Sequence, residues 1–178
     1  MLKLIEGDKK YLDQYQEAYE LSKQKVEEGI IKKHNMMFDD TNEVDIIQKM
    51  KDNKDKTKLP EDYVVAYDYF AVDDDKFIGK VNIREKLTDK LLRYGGHIGY
   101  AVNPKYWNMG YGTKMLELGL EKARDLILDD KVLITCDDDN IGSYKIIEKN
   151  GGVLENKVEN TDQGDVFLTR RYWIDLKE

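Results

Sequence analysis

Residues 109 to 113 read Met109-Gly110-Tyr111-Gly112-Thr113, and this is the stretch whose residue types best suit holding an anion. From Thr113 onward Leu116, Gly119, Leu120, Ala123 and Ile127 recur at helical spacing, so the loop presents backbone N–H groups at a helix start, where they lack intrahelical partners. The two glycines leave the main chain bare to a close ligand. A helix start carries about half a positive charge, and phosphate is the ligand that fits such a place. A lone Gly-x-Gly also serves as a plain tight turn, so the surrounding residues must decide between the two readings.

Other candidates are scattered more widely. His97 titrates in a range useful to a general base, and Glu85 is a second option, although a single strand histidine also reads as structural. Cys136 invites a nucleophile reading, but at the end of an apolar run with no histidine adjacent in sequence it reads as packing. Asp73-Asp74-Asp75 has no further ligand at a recognisable metal spacing and reads as a solvated turn, so no metal site is expected.

The elements that must position these residues follow from periodicity and punctuation. Leu2, Leu4 and Ile5 suggest a first strand. From the capping Asp8, residues Tyr11, Leu12, Tyr15, Ala18, Tyr19 and Val26 keep a helical rhythm as far as Gly29, with the tyrosines read as core. A second helix is expected over about 42–53, and His34 in the link before it reads as solvated. Strands at 63–72 and 77–87 form a hairpin, and residues 87–96 read as a link. Ile98, Tyr100 and Val102 alternate as a strand that must stop before Pro104. Val132-Leu133-Ile134 is a buried strand, Asp137 to Asn140 cap a helix ending at Gly151-Gly152, and 153–160 with 165–175 make a last hairpin across 161–164. The order is β-α-α-β-β-β-α-β-α-β-β, an α/β (α+β) mixed sheet with helices on both faces, in a single domain over 1–178.

Composition narrows the function classes. A net charge of −7 argues against a nucleic-acid binder, and no apolar run long enough for a transmembrane helix is present. One cysteine allows no intrachain disulfide and suits a reducing compartment, so a cytoplasmic protein is expected, as a monomer or homodimer.

The order of elements and two local motifs together resemble the GNAT superfamily of N-acetyltransferases. The first motif is the loop Met109-Gly110-Tyr111-Gly112-Thr113, similar to the family's Arg/Gln-x-x-Gly-x-Gly/Ala, and the second is Asn140-Ile141-Gly142-Ser143, continuing to Gly151-Gly152. Gly95-Gly96-His97-Ile98-Gly99-Tyr100 is also similar to one branch of predicted family members. The resemblance implies acetyl-CoA as co-substrate, with loop amides from Met109 to Thr113 on its diphosphate. It also implies a strand Tyr100-Ala101-Val102 that splays from 132–136 to admit the pantetheine arm, a Val102 N–H on the thioester oxygen, and Asn140 with Ser143 beside the arm. Trp107 departs from the family's Arg or Gln, and either Lys105 or Lys114 could replace the lost charge. Ile147 stands where many members carry the tyrosine that protonates the leaving thiolate, so Tyr144, three residues earlier, is the expected acid.

The function expected on this resemblance is acetyl transfer from acetyl-CoA to a primary amine, small molecule or peptide, by direct attack in a ternary complex. A non-catalytic acyl-CoA sensor is the rival of a different class. A dinucleotide fold fits less well, because Met115 occupies the third glycine position and Pro104 to Met109 separate the glycines from the strand. The acceptor groove is expected from the first two helices, the link 87–96 and the last hairpin.

Overall fold

The computed structural model describes residues 1–162 and 164–177. Strand β1 (Leu2–Ile5) leads into helix α1 (Leu12–Glu27) through one tight turn that Asp8 opens by accepting the Lys10 N–H. Helix α2 (Ile46–Asp52) is shorter than its periodicity suggests, because Asp45, whose carboxylate accepts the Gln48 N–H, caps it. Strands β2 (Ala66–Asp73) and β3 (Lys76–Arg84) form the expected hairpin. A short helix, α3 (Asp89–Arg93), interrupts the link before β4 (Ile98–Val102); it buries no side chain fully, so it leaves no apolar stripe in the sequence. Helix α4 (Tyr111–Leu126), strand β5 (Lys131–Asp137), helix α5 (Ile141–Lys149) and the hairpin of β6 (Val153–Asp162) with β7 (Asp165–Asp175) complete the order. Gln163, in the expected last turn, lies outside the described residues.

Helices cover both faces, as the pattern predicts. On one side α1 and α2 bury Tyr15, Ala18, Ile47 and Met50 against Phe70 and Phe77. On the other, α4 packs Met115, Leu116, Leu120 and Ala123 on Val81, Ile83 and Ile98, and Ile147 joins from α5. Tyr11 and Tyr15 are buried, so the tyrosines of the first helix are core.

The sheet itself is divided. One antiparallel sheet has the order β1-β2-β3-β4 and the other β5-β7-β6, so no ladder joins β4 to β5 among the described residues. Main-chain hydrogen bonds link the two segments at one residue pair, just before β4 begins. The His97 N–H donates to the Leu133 carbonyl at 2.7 Å, and the Leu133 N–H donates back, not to a carbonyl, but to Nδ1 of the His97 ring at 2.9 Å. Gly96 makes this approach possible: it sits at φ +64°, and a Cβ there would collide with the Leu133 carbonyl oxygen. Beyond the junction β4 and β5 diverge like the prongs of a fork.

Because Nδ1 accepts, Nε2 carries the ring proton, and it finds no hydrogen-bond partner among the described residues. The ring is fully buried, and that burial, opposed in part by Asp129, holds the imidazole pKa below its ordinary 6.5. His97 is therefore a structural pin, and it does not line the cavity described below. His97→Leu would strand the Leu133 amide and lower stability by about 1–3 kcal/mol in urea denaturation. In the wild type the unfolded chain takes the proton first, so stability should fall as pH drops below about 6.5 and level off below the folded-state value. The variant should lack that part of the slope.

Candidate active site

The fork opens onto a cavity of about 520 Å³ bounded by β4, the start of α4, α5 and the link between α1 and α2. Hydrogen bonds at either end of β4 fix which way its backbone faces. Arg84 N–H donates to the His97 carbonyl and Asn103 N–H to the Ile78 carbonyl, each at 2.8 Å, with unbroken register between. By the alternation of an antiparallel ladder, Gly99 and Ala101 bond to β3, while the main-chain groups of Tyr100 and Val102 turn toward the gap. The Val102 carbonyl is taken by the Trp107 indole N–H at 2.9 Å. The unexpected tryptophan therefore closes the exit of β4 and lines the cavity, a role that needs a ring N–H and not a positive charge.

At the other end of the cavity the chain enters α4 through Asn108 and Gly110, both at positive φ (60° and 83°). Gly110 supplies no side-chain cap, so the Tyr111, Gly112 and Thr113 amides at the helix start remain available. A Cβ on Gly112 would lie 2.5 Å from Ile146 Cδ1, so the bare glycine lets α5 close on the loop. Lys105 and Lys114 are engaged with Glu17 (3.2 Å) and Glu117 (2.9 Å). The cations on the cavity wall are instead Lys145 and Lys149 of α5, four residues apart on one helix face. That spacing was visible in the sequence, but in a chain so rich in lysine nothing singled it out.

Most expected site residues converge on this cavity. Tyr100 to Val102, Gly110 to Thr113, Asn140 and Ser143 all line it; Met109 does not and is 63% exposed. Asn140 caps α5, its side-chain oxygen accepting the Ser143 N–H at 3.1 Å, which leaves its amide nitrogen as donor. Ser143 meets the Tyr100 hydroxyl, which lies 3.0 Å from its Oγ and 3.1 Å from its carbonyl oxygen. Burial raises the Tyr100 pKa well above the usual phenol range, so the hydroxyl keeps its proton. The neighbouring Cys136 thiol is pushed up to about 12 by burial, which removes it as a nucleophile near neutral pH.

Three expectations change. Tyr144 does not face the cavity: its ring lies under the Arg170 guanidinium, 3.9 Å from the centroid, with Arg170 also bound to Asp138 and the Tyr172 hydroxyl. The helix turn that puts residue 144 near residue 147 also carries it toward β7. His34 is not solvated; its Nε2 lies 2.8 Å from the buried carboxylate of Asp137. The cavity wall takes Ser22 and residues of the link from Ile31 to Phe38, but none described from 87–96 or the last hairpin.

A family model described as "Acetyltransferase (GNAT) domain" matches residues 13–153. The chain belongs to the GNAT acetyltransferase family. Its fold is shared with solved acetyltransferases at low identity. The microcin self immunity acetyltransferase MccE, solved with acetyl-CoA and AMP, is 20% identical, with 98% of this chain and 92% of that one covered at a TM-score of 0.67. A GNAT-family acetyltransferase from Bacillus anthracis is 17% identical, with 99% and 96% covered and a TM-score of 0.67. RimL, a ribosomal alpha-N-protein acetyltransferase, is 15% identical, with 98% and 90% covered and a TM-score of 0.70. No curated protein sequence matches the chain significantly. The cavity has the features that suit acetyl-CoA, the ligand with which MccE was solved: amides at a helix start with two lysines on the wall, and open strand amides. No helix among the described residues is long and apolar enough to cross a membrane, and no described cluster of His, Cys, Asp or Glu could hold a metal ion.

If Tyr144 only packs against Arg170, then Tyr144→Phe should leave kcat unchanged at every pH, while Tyr144→Ala should lower the melting temperature without altering the pH profile. Steady-state assays across pH with parallel thermal denaturation check both.

Proposed function

We propose that this enzyme transfers the acetyl group of acetyl-CoA directly to a primary amine, small molecule or peptide, with both substrates bound together. The observation that carries the reading is the direction of the β4 main chain. Tyr100 and Val102 turn their backbone groups into a gap that no described strand fills, on the same cavity as the open amides of α4. An extended thioester arm would occupy that gap as an added strand, with its diphosphate at Gly110 to Thr113.

In the reaction the amine nitrogen bonds to the thioester carbonyl carbon, the carbon–sulfur bond breaks, nitrogen gives up a proton and sulfur gains one. The Val102 N–H would donate to the carbonyl oxygen as negative charge builds there; one such donor is typically worth about 100- to 1,000-fold in rate. The Ser143 and Tyr100 hydroxyls form a hydrogen-bonded pair on the cavity wall, next to where the sulfur would leave. They take the proton-donor role that Tyr144 does not reach and Ile147, wholly buried, cannot fill. Asn140 steadies the arm through its amide nitrogen, and the Trp107 bond keeps the Val102 carbonyl from competing for it.

Calorimetric titration with coenzyme A and a thiol-release assay with acetyl-CoA and a panel of primary amines test the proposal. Binding is expected, with turnover on at least one amine. Ser143→Ala and Tyr100→Phe should each lower kcat roughly ten-fold or more, with coenzyme A affinity little changed. Binding without turnover on any amine would favour the acyl-CoA sensor, and an unchanged kcat in both variants would remove the hydroxyl pair from the mechanism.

A further inference from the structure

The link between α1 and α2 does more than connect them. Residues 31–38 cross the open end of the fork, and Asn35, Met36, Met37 and Phe38 form one wall of the cavity. One end of this strap is fixed by Phe38, buried among aromatic rings with Tyr15 (5.4 Å, edge on) and Phe77 (6.0 Å), and by the Asp39 N–H on the Tyr15 hydroxyl. The other end is fixed by charge. A single oxygen of Asp137, at the end of β5, faces His34 Nε2 at 2.8 Å, Asn35 Nδ2 at 2.9 Å and Lys32 Nζ at 3.5 Å. The carboxylate is only 3% exposed, and the His34 ring stacks on Phe167 of β7 with centroids 4.3 Å apart. Lys32 also pairs with Asp139 at 3.0 Å.

We propose that Asp137 is a positioning residue for acetyl transfer, holding the strap across the fork so that Met36 and Met37 wall the cavity beside Gly99 and Ala101. The proposal rests on the acetyl-transfer reading of the same cavity. The physical need is plain. Met37 lies over Gly99, its methyl carbon 3.0 Å and its sulfur 3.9 Å from where a Cβ would stand. Methionine side chains pack loosely and adapt, so they define a wall only if the backbone beneath them is anchored. Between the anchors the strap makes a single short turn, with Asn35 and Met36 N–H donating to Lys32 and Lys33 carbonyls at 2.9 and 3.1 Å. That is too little to hold it alone, whereas several donors converging on a buried carboxylate make a strong tether. The tether leaves from the strand whose divergence opens the cavity, so the wall keeps a constant distance from the gap it covers.

Asp137→Asn, His34→Leu and His34→Gln test this in the full chain, by amide exchange, coenzyme A calorimetry and, where an amine turns over, the split between KM for acetyl-CoA and kcat. Asp137→Asn and His34→Leu should speed exchange at Asn35 and Met36 by about ten-fold or more while exchange in β3 and α4 stays as in the wild type. Both should weaken coenzyme A binding and raise KM for acetyl-CoA by roughly five-fold or more. His34→Gln keeps a donor for Asp137 and should stay within about two-fold of wild type in every measurement. If Asp137→Asn does not fold, His34→Leu carries the test. Unchanged strap exchange in both loosening variants would overturn the proposal, as would exchange that rises evenly across the whole chain. A large loss of kcat in His34→Gln with the strap still protected would also overturn it, by making the imidazole itself the working group. Exchange and calorimetry need no acceptor, so absence of turnover would count against acetyl transfer without deciding the role of Asp137.

Discussion

The two hydrogen bonds between His97 and Leu133 are the constraint on which the cavity depends. Adjacent strands in a sheet gain by pairing all the way along, and an unpaired run of buried amides is expensive. Here the pairing starts and stops at one residue, because a ring nitrogen stands where the next carbonyl of a ladder would be. The imidazole is wider than a peptide, and Gly96 brings the backbones together on its far side. The strands are held close at the apex and share no ladder beyond it among the described residues. What is left unsatisfied in β4 is then the part of the main chain a thioester arm can use.

Charge is arranged locally, against the trend of the whole. The chain carries a net charge of −7, yet the cavity wall holds Lys145 and Lys149. The other lysines near the loop are matched with carboxylates on their own surroundings. Polyanions need a broad basic face for their many phosphates, whereas a small cationic recess suits a single diphosphate.

The order of strands and helices, the glycine loop and the capped start of α5 were all legible in the sequence, because each has a local signature: alternation, helical spacing, or a capping residue at the right offset. Tyr100, Val102, Gly110, Gly112, Asn140 and Ser143 were named through the family resemblance that those signatures carry, and all six line the cavity. The rest depends on contacts far apart in the chain. Nothing around His34 announces that it will meet Asp137, 103 residues later. Tyr144 was placed on the correct helix but on a face turned away from the cavity: Ile147, one turn on, is buried in the core, while Ser143 and Ile146 line the cavity. His97 looked ambiguous because a histidine that accepts a main-chain bond and one that accepts a substrate proton share the same sequence context.

The contact between Gly112 and Ile146 ties the two ends of the cavity together. Ile146 of α5 fills the space a side chain on Gly112 would need, and Ser143 stands one turn earlier on that same short helix. A rigid rod seated in a notch at one end cannot tilt freely at the other. On the proposed reading, the loop that would meet the nucleotide end of a long, flexible guest also sets where the Ser143 hydroxyl stands, so grip and chemistry would share a single lever.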